Sequence, residues 1–461
     1  MLLAAVVCAG LFQLAAPDSM IVPMLADTTV DVEVVVFPAK DAALPIWYEV
    51  IWGDGDTLTW SGPLQNNADV SRYHRYRTYG EFTVQARIKD GLGTISDWSS
   101  PLTVKVGEPI QRWSFATEDA IVCAPSLDLH GNIYFGDEGG VIYSLTPGGD
   151  PRWNAKARDA VYGAPVIIGN RVYVTSLDST LYCFDTAGKS LWNLNLGDAL
   201  YCPPAVGADG ALYIGTDVGW FASVAANGKL RWKRKLGDEL AAPPTIGVNG
   251  LIYQTADSVY CFDSKGRRRW AFGAPEGDYF FAAAIPDPSG VVYAGNNDGY
   301  LYCIGPDGRL RWRSPGPDAD EIRPEVTVGL DGTLYYGDDG YYCVRKPVNG
   351  TPSTVYEAND VVIAAAAISD KGTVYYMPDD GTLYAFANGA RLLYSRDVVD
   401  GSKEVYYTGS PVIAPDGTIY TTSWDGGIYA FRGDGPPAAT WWPQYRHDAQ
   451  HTGRVLPLRR R

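Results

Sequence analysis

The chain has 461 residues, 46% of them hydrophobic, 13% aromatic and 20% charged, with 51 Gly, 31 Pro and only 4 Met. That length has room for two or three domains, and so many glycines and aromatics beside moderate charge are what short strands joined by tight turns require. A net charge of −15 argues against nucleic acid as a partner of the chain as a whole, because two polyanions repel.

The first element is an apolar run, Leu2 to Ala16, of signal-peptide length, with Ala15-Ala16-Pro17-Asp18 offering a small-residue cleavage site. It is too short to span a bilayer comfortably, and no Lys or Arg precedes it. Residues 1–18 are read as a signal peptide, which predicts an exported protein, periplasmic, at the cell surface or secreted. Cys8 follows Val7 and sits too early for a lipid anchor. No other stretch could serve as a transmembrane helix, and a monomer is expected.

From Thr29 the alternation of Val30, Val32 and Val34 with Asp31 and Glu33 predicts a half-buried strand. Further strands are expected at Trp47 to Trp52, Phe82 to Lys89 and Leu102 to Val106, separated by Gly53-Asp54-Gly55 and Asp90-Gly91, a spacing that fits a small β-sandwich. The ordered segments Val50 to Gly55, His74-Arg75-Tyr76, Gly80 to Val84 and Asp90 to Gly93 resemble the PKD domain over residues 26–106. The resemblance implies an exported spacer or adhesion module with an immunoglobulin-like fold. Asp54, Asp56 and Asp90 could hold Ca²⁺; Asx turns account for them equally well and are preferred.

Residues 107–455 carry a repeated unit. In Tyr162 to Trp192, three tight turns (Gly169-Asn170, Asp178-Ser179, Ala187-Gly188) separate apolar runs, which predicts four antiparallel strands. The first Tyr recurs at Tyr134, Tyr173, Tyr213, Tyr253, Tyr293, Tyr335, Tyr375 and Tyr420, with gaps of 39, 40, 40, 40, 42, 40 and 45 residues. One such sheet cannot bury both its apolar faces, so the units must pack face to face and close. The expected fold is all-β: an eight-bladed β-propeller of four-stranded antiparallel blades after the N-terminal sandwich. Nine closing aromatics for eight units, from Trp113 to Trp441, imply that the strand at Trp113 completes the last blade. The tryptophans are expected to pack between neighbouring blades.

Gly-His and Trp-Asp dipeptides, the WD40 signature, are lacking except for a misplaced Trp424-Asp425. The pattern in Pro204 to Gly215 and Leu181 to Trp192 instead resembles the PQQ repeat, over Ile110 to Gly453. That family includes quinone dehydrogenases and non-catalytic scaffolds such as the propeller lipoprotein of outer-membrane barrel assembly, so the fold leaves activity open.

Cys183, Cys261, Cys303 and Cys343 share one repeat position, and Cys123 and Cys202 another. Equivalent positions lie about 10 Å apart, the distance between packed sheets, beyond disulfide reach, so these read as small buried residues rather than a metal or redox centre.

A second periodic series lies between units: Asp119, Asp159, Asp198, Asp238, Asp278, Asp320, Asp360 and Asp400. Carboxylates on equivalent loops must share one face, near the central opening, and would attract cations, amines or a basic peptide. They could also be loop-shaping residues that accept backbone N–H bonds, and that reading is put first. Tyr162, Tyr201, Phe280 and Tyr406 follow these acids and would add apolar patches to the same face. The longer connections Val344 to Tyr356 and Val398 to Tyr407 mark candidate partner surfaces, or drift.

Trp442 to Gly453 looks like a terminal segment found beside such propellers. His447 and His451, four apart, would share a helical face as zinc ligands do; with no third ligand, packing or capping is expected. His74 and His130 are read as lone turn residues. Arg459-Arg460-Arg461, in the tail 456–461, is read as the one basic cluster and as a frayed end.

Three functions are weighed. The first is a non-catalytic exported scaffold binding a protein or glycan through one propeller face. The second is a PQQ-dependent dehydrogenase, for which the resemblance implies an adjacent Cys-Cys pair, bound calcium and pocket-building loops; no two cysteines are adjacent and the units are near minimal length. The third is a polysaccharide-active enzyme, needing paired carboxylates. The first is preferred, with no catalytic residues, no metal and no cofactor expected.

Overall fold

In a computed structural model, the described residues are 3–8, 26–27, 32–37, 45–64, 70–77, 80–107, 110–237, 239–387, 391–398 and 408–455. Every regular element among them is a strand. The predicted signal peptide beyond Cys8, the tail 456–461, Asp238, Asp400 and Tyr406 lie outside the described residues, as does the 398–407 loop apart from Val398.

Two compact units emerge: Met1–Ile110 with Tyr384–Phe386 and Arg391–Asp397, and the remainder. The first contains β1 (Leu3–Cys8), β2 (Ala26–Asp27), β3 (Val32–Phe37), β4 (Ile46–Ile51), β5 (Thr57–Leu64), β6 (Val70–His74), β7 (Gly80–Lys89) and β8 (Leu102–Gly107). They form a five-stranded sheet, β2-β8-β7-β4-β5, and a three-stranded sheet, β1-β3-β6. β3, β4, β7 and β8 fall where alternation placed strands. β5 and β6 were missed, because Pro63 and the charged Arg72 interrupt the pattern. Tyr48, Val50, Tyr76, Val84, Ala86 and Ile88 are fully buried and make the local core.

Residues 111–432 form eight four-stranded antiparallel sheets, a β-propeller architecture. The second sheet shows the plan: Val166–Ile168, Arg171–Thr175, Thr180–Asp185 and Ser190–Asn195, paired in chain order. Its first three strands are mostly buried, while the fourth alternates exposed and half-buried residues. Burial thus falls from the axis outward, as wedges packed around a centre require. The eighth sheet ends with Gln111–Ala116 pairing with Gly427–Arg432, so the earliest strand of the repeat region completes the last sheet. Thr422 Oγ1 donates to the Cys123 carbonyl at 2.6 Å, and one apolar cluster joins Leu127 and Phe135 to Val412 and Ile428.

Sheet-to-sheet contacts repeat with the sequence. The indole N–H groups of Trp113, Trp153, Trp192, Trp232 and Trp270 donate to the carbonyls of Pro147, Thr186, Ala226, Ser264 and Pro306 in the next sheet's last turn, at 3.0–3.2 Å. Small residues stand opposite the closing aromatic: Cys183, Cys261 and Cys303 pair with Trp192, Trp270 and Trp312, and Cys343 with Tyr356. Cys123, Cys183, Cys202, Cys261, Cys303 and Cys343 are buried free thiols.

The C-terminal segment was not legible. Rather than forming a helix, residues 440–455 run as turns, with Arg446, His447 and His451 at positive φ. They circle the axis. Innermost-strand N–H groups of Val328, Ile368, Leu127, Ile167, Val206 and Ile246 donate in turn to the carbonyls of Trp442, Pro443, Ala449, Gln450, Thr452 and Gly453, and Ile413 N–H donates to Gln444 Oε1. These belong to sheets six, seven, one, two, three, four and eight. In the fifth sheet the equivalent residue is Pro286, which has no N–H to give, and there the segment's two ends pack instead: Trp442 and Val455 share a cluster with Ile285. Trp441, counted as a closing aromatic, stacks on Tyr293 at 5.7 Å.

Candidate functional site

In an antiparallel four-stranded sheet, the turn between the second and third strands and the connection to the next sheet lie at the same end. The predicted acids therefore share an end with a second acidic series, in the middle turns, that sequence reading overlooked: Asp137, Asp178, Asp257, Asp298, Asp338, Asp379 and Asp425. The two series come together where small residues allow it. A Cβ on Gly139 would stand 2.0 Å from Asp119 Oδ2, and one on Gly340 2.9 Å from Asp320 Oδ2.

The middle-turn acids have a local task, which explains the second Tyr of most units. Asp137, Asp257 and Asp425 accept the hydroxyls of Tyr143, Tyr260 and Tyr429 at 2.9, 2.8 and 2.6 Å. Asp178 and Asp298 take Tyr182 and Tyr302 in the same way. In sheets six and seven, Asp338 and Asp379 instead accept the backbone N–H groups of Tyr342 and Thr408. Asp338 and Asp379 are fully buried, and the Oδ2 of each has no hydrogen-bond partner among the described residues. Burial, then the neighbouring acids Asp320 and Asp360 respectively, push both carboxyls up to about 7.

Of the predicted loop acids, Asp119, Asp159, Asp278 and Asp320 are exposed and Asp198 and Asp360 half-buried. Asp159 and Asp360 each accept the N–H of their own next residue at 2.8 Å. Asp198 lies 3.7 Å from Lys233 Nζ. Local bonds thus hold some carboxylates while the exposed ones keep their field.

Tyr162 and Tyr201 form a ring pair at 5.8 Å, and Tyr162 donates its hydroxyl to Glu138 Oε1 at 2.5 Å. Burial and then that carboxylate raise the Tyr162 phenol to about 12. Phe280 is a correction: it is 1% exposed, packed on Phe272 and Tyr302. Its neighbours Tyr279 and Phe281, stacked at 6.0 Å, hold the half-exposed positions. Three consecutive aromatics alternate in and out along an extended chain, and sequence alone did not fix the phase.

A cavity of about 180 Å³ lies between inner segments of sheets one, seven and eight, lined by Val122, Cys123, Tyr162, Ala364 and Ser410, with Tyr445 of the axial segment also in its wall. Within that segment Arg446 is fully buried. Its backbone N–H donates to Glu325 Oε2 at 2.9 Å, Nη1 lies 3.5 Å from Glu325 Oε1, and Trp442 Nε1 donates to Oε2 at 3.2 Å. Buried His451 faces Ser126 Oγ through Nδ1 at 2.9 Å, and burial lowers its pKa to about 3. The two histidines, read as four apart on one helical face, have separate partners: His447 Nδ1 meets Asp448 at 3.1 Å.

In the first unit, among the described residues, the groups close enough to share an ion are Asp54, Asp56 and His74, not Asp90, whose Oδ1 accepts the N–H groups of Leu92 and Thr94 in an Asx turn. His74 is not alone: Nε2 lies 2.7 Å from Asp54 Oδ2, and its ring stacks on Trp52 at 4.7 Å. Nor is the tail the one basic cluster. Residues 229–235 and 265–269 contain nine of the 38 lysines and arginines, on neighbouring sheets.

Residues 110–199 and 177–435 match the family model described as outer membrane protein assembly factor BamB. No curated protein matches the sequence. Among solved structures, BamB from Moraxella catarrhalis aligns with a TM-score of 0.58 at 13% identity, over 70% of this chain and 99% of that one. Sqt1 of Saccharomyces cerevisiae aligns with a TM-score of 0.59 at 11% identity, over 71% and 100%. The computationally designed Ika8 protein gives 0.59 at 16% identity, over 71% and 100%. At such identities the likeness establishes the fold. No helix among the described residues is long and apolar enough to cross a membrane.

Proposed function

Because the chain belongs to the family described as outer membrane protein assembly factor BamB, we propose that it is a non-catalytic scaffold of the cell envelope. On this reading an eight-bladed ring binds a protein through the end that carries the loop acids. The carrying observation is the exposed set Asp119, Asp159, Asp278 and Asp320, on the same end as the Tyr162–Tyr201 pair. Anionic rims around aromatic patches suit a cationic polypeptide segment. The first unit is read as a PKD-like spacer, and residues 1–18 as an export signal.

A quinone has no fitting seat in this reading. Cys123 and Cys202 lie singly, and the axis is filled by Arg446, Glu325 and the segment around them.

The test is binding of a labelled basic peptide, followed by anisotropy, to the parent and to Asp159→Asn/Asp278→Asn/Asp320→Asn. Each exposed charge contributes about 0.2–1 kcal/mol, so a loss of roughly threefold to a hundredfold is expected, with an unchanged melting temperature. An affinity that survives the triple substitution counts against the acidic face, and added PQQ with Ca²⁺ producing dye-linked oxidation counts against a scaffold.

A further inference from the structure

We propose that the outer side of the third and fourth sheets is a second docking surface, for an acidic, extended polypeptide segment. A groove of about 530 Å³ runs there, lined by Trp220, Lys233, Arg234, Lys235, Arg267 and Arg268.

Two basic runs far apart in sequence make it. The outer strand of the third sheet, Leu230–Lys235, reads Leu-Arg-Trp-Lys-Arg-Lys, and the last turn of the fourth sheet supplies Arg267 and Arg268. They meet because the turn glycine packs under the strand: a Cβ on Gly266 would stand 2.8 Å from Trp232 and 2.9 Å from Arg234 Nε.

The cations divide by partner. Arg231 pairs with Asp209 at 2.9 Å, and Arg269 and Arg267 with Asp263 at 3.0 and 2.7 Å; these fix turns within their own sheets. Lys233, which also lies 3.7 Å from Asp198, and Lys235 lie over Trp220, 4.9 and 5.9 Å from its centroid. Arg234 and Arg268 are exposed and form no ion pair among the described residues, one on each side of Gly266. In a chain of net charge −15, two unneutralised guanidiniums flanked by stacked ammoniums form a local field of the opposite sign.

The occupant follows from charge and backbone chemistry. Guanidiniums take carboxylates through bidentate bonds. The strand Leu230–Lys235 is the edge of its sheet, so alternate N–H and C=O groups on its far side are available to an added strand. An extended chain bearing Asp or Glu satisfies both. This surface is cationic and on the outer side, meets the acidic loop series where Lys233 approaches Asp198, and takes a peptide of opposite charge.

The experiment uses the full chain and a fluorescein-labelled peptide of eight alternating Glu and Val residues, read by anisotropy, with an alternating Lys and Val peptide as control. Saturable binding of the acidic peptide is expected, weakened at least tenfold by Arg234→Gln/Arg268→Gln and steeply by salt, with an unchanged circular dichroism melt. Amide exchange should slow within residues 230–235 when the peptide is present. Unchanged affinity in the double variant, or no protection of that strand, overturns the proposal. So does tighter binding of anionic lipid vesicles or of a sulfated polysaccharide than of the peptide, since the surface then reads charge alone. If the double variant melts early, Arg234→Lys provides the comparison: it keeps the charge and loses the fork, and equal affinity again overturns the proposal.

Discussion

Gly228 lies against the indole of Trp192, one sheet earlier: a Cβ placed on this glycine, whose φ is +82°, would stand 2.7 Å from Cδ2 of that ring. The same relation holds for Gly149 on Trp113, Gly188 on Trp153, Gly266 on Trp232 and Gly308 on Trp270. The glycine of each last turn and the tryptophan of the preceding unit are thus halves of one joint, closed by the indole N–H bond to the same turn.

Gly228→Ala is expected to destabilise by more than about 1 kcal/mol, through a left-handed backbone and a blocked ring face. Trp192→Ala should cost about 3–5 kcal/mol. Because each acts on one joint, the double variant should lose less than the sum, a coupling that urea denaturation measures.

The axial pair gives a second cycle. Glu325→Gln leaves the Arg446 charge buried without its carboxylate, a loss of about 3–5 kcal/mol. Gly453→Ala should disturb the same pair from the other side, since a Cβ there would meet Arg446 Nη2 at 2.0 Å. Strong non-additivity is expected; additive losses would show that Gly453 acts elsewhere.

Asp338 and Asp379 predict a pH dependence. Their folded-state pKa of about 7 lies above the ordinary 3.8, so between those values the native state holds protons that the unfolded chain has released. Their contribution to stability is full below about pH 4 and is lost as the pH rises through 7. Asp338→Asn/Asp379→Asn keeps the acceptors that Tyr342 N–H and Thr408 N–H use. The variant should gain on the parent in melting temperature at pH 8 compared with pH 5; an equal offset at both pH values would rule out this titration.

His451 works in the opposite sense. Burial lowers its pKa from 6.5 to about 3, so stability present above pH 6.5 is lost as the pH falls towards 3. His451→Gln should flatten that acid limb in thermal melts, whatever its effect at neutral pH.

The strands of the repeat region were written in Tyr134 to Tyr420 and their turns, since a period near 40 with a glycine or asparagine at each reversal permits few other structures. Closure by the Trp113 strand was inferred from a surplus aromatic that came from counting Trp441, which stacks on Tyr293 instead; eight closing aromatics serve eight sheets, and composition says little about where a ring points. Phe280 shows the same in the candidate site: its series position was legible, its facing was not.

The sequence by itself determined the unit, its four strands and the end of the sheets to which Asp119 and its counterparts belong, because local turn chemistry and apolar spacing act within about 40 residues. Tertiary structure alone decided the rest. It placed Arg446 beside Glu325, 121 positions apart, left the Oδ2 atoms of Asp338 and Asp379 without a partner among the described residues, and set Arg234 and Arg268 along one groove. Such contacts depend on which strand ends meet across the packed sheets, and no local pattern carries that information.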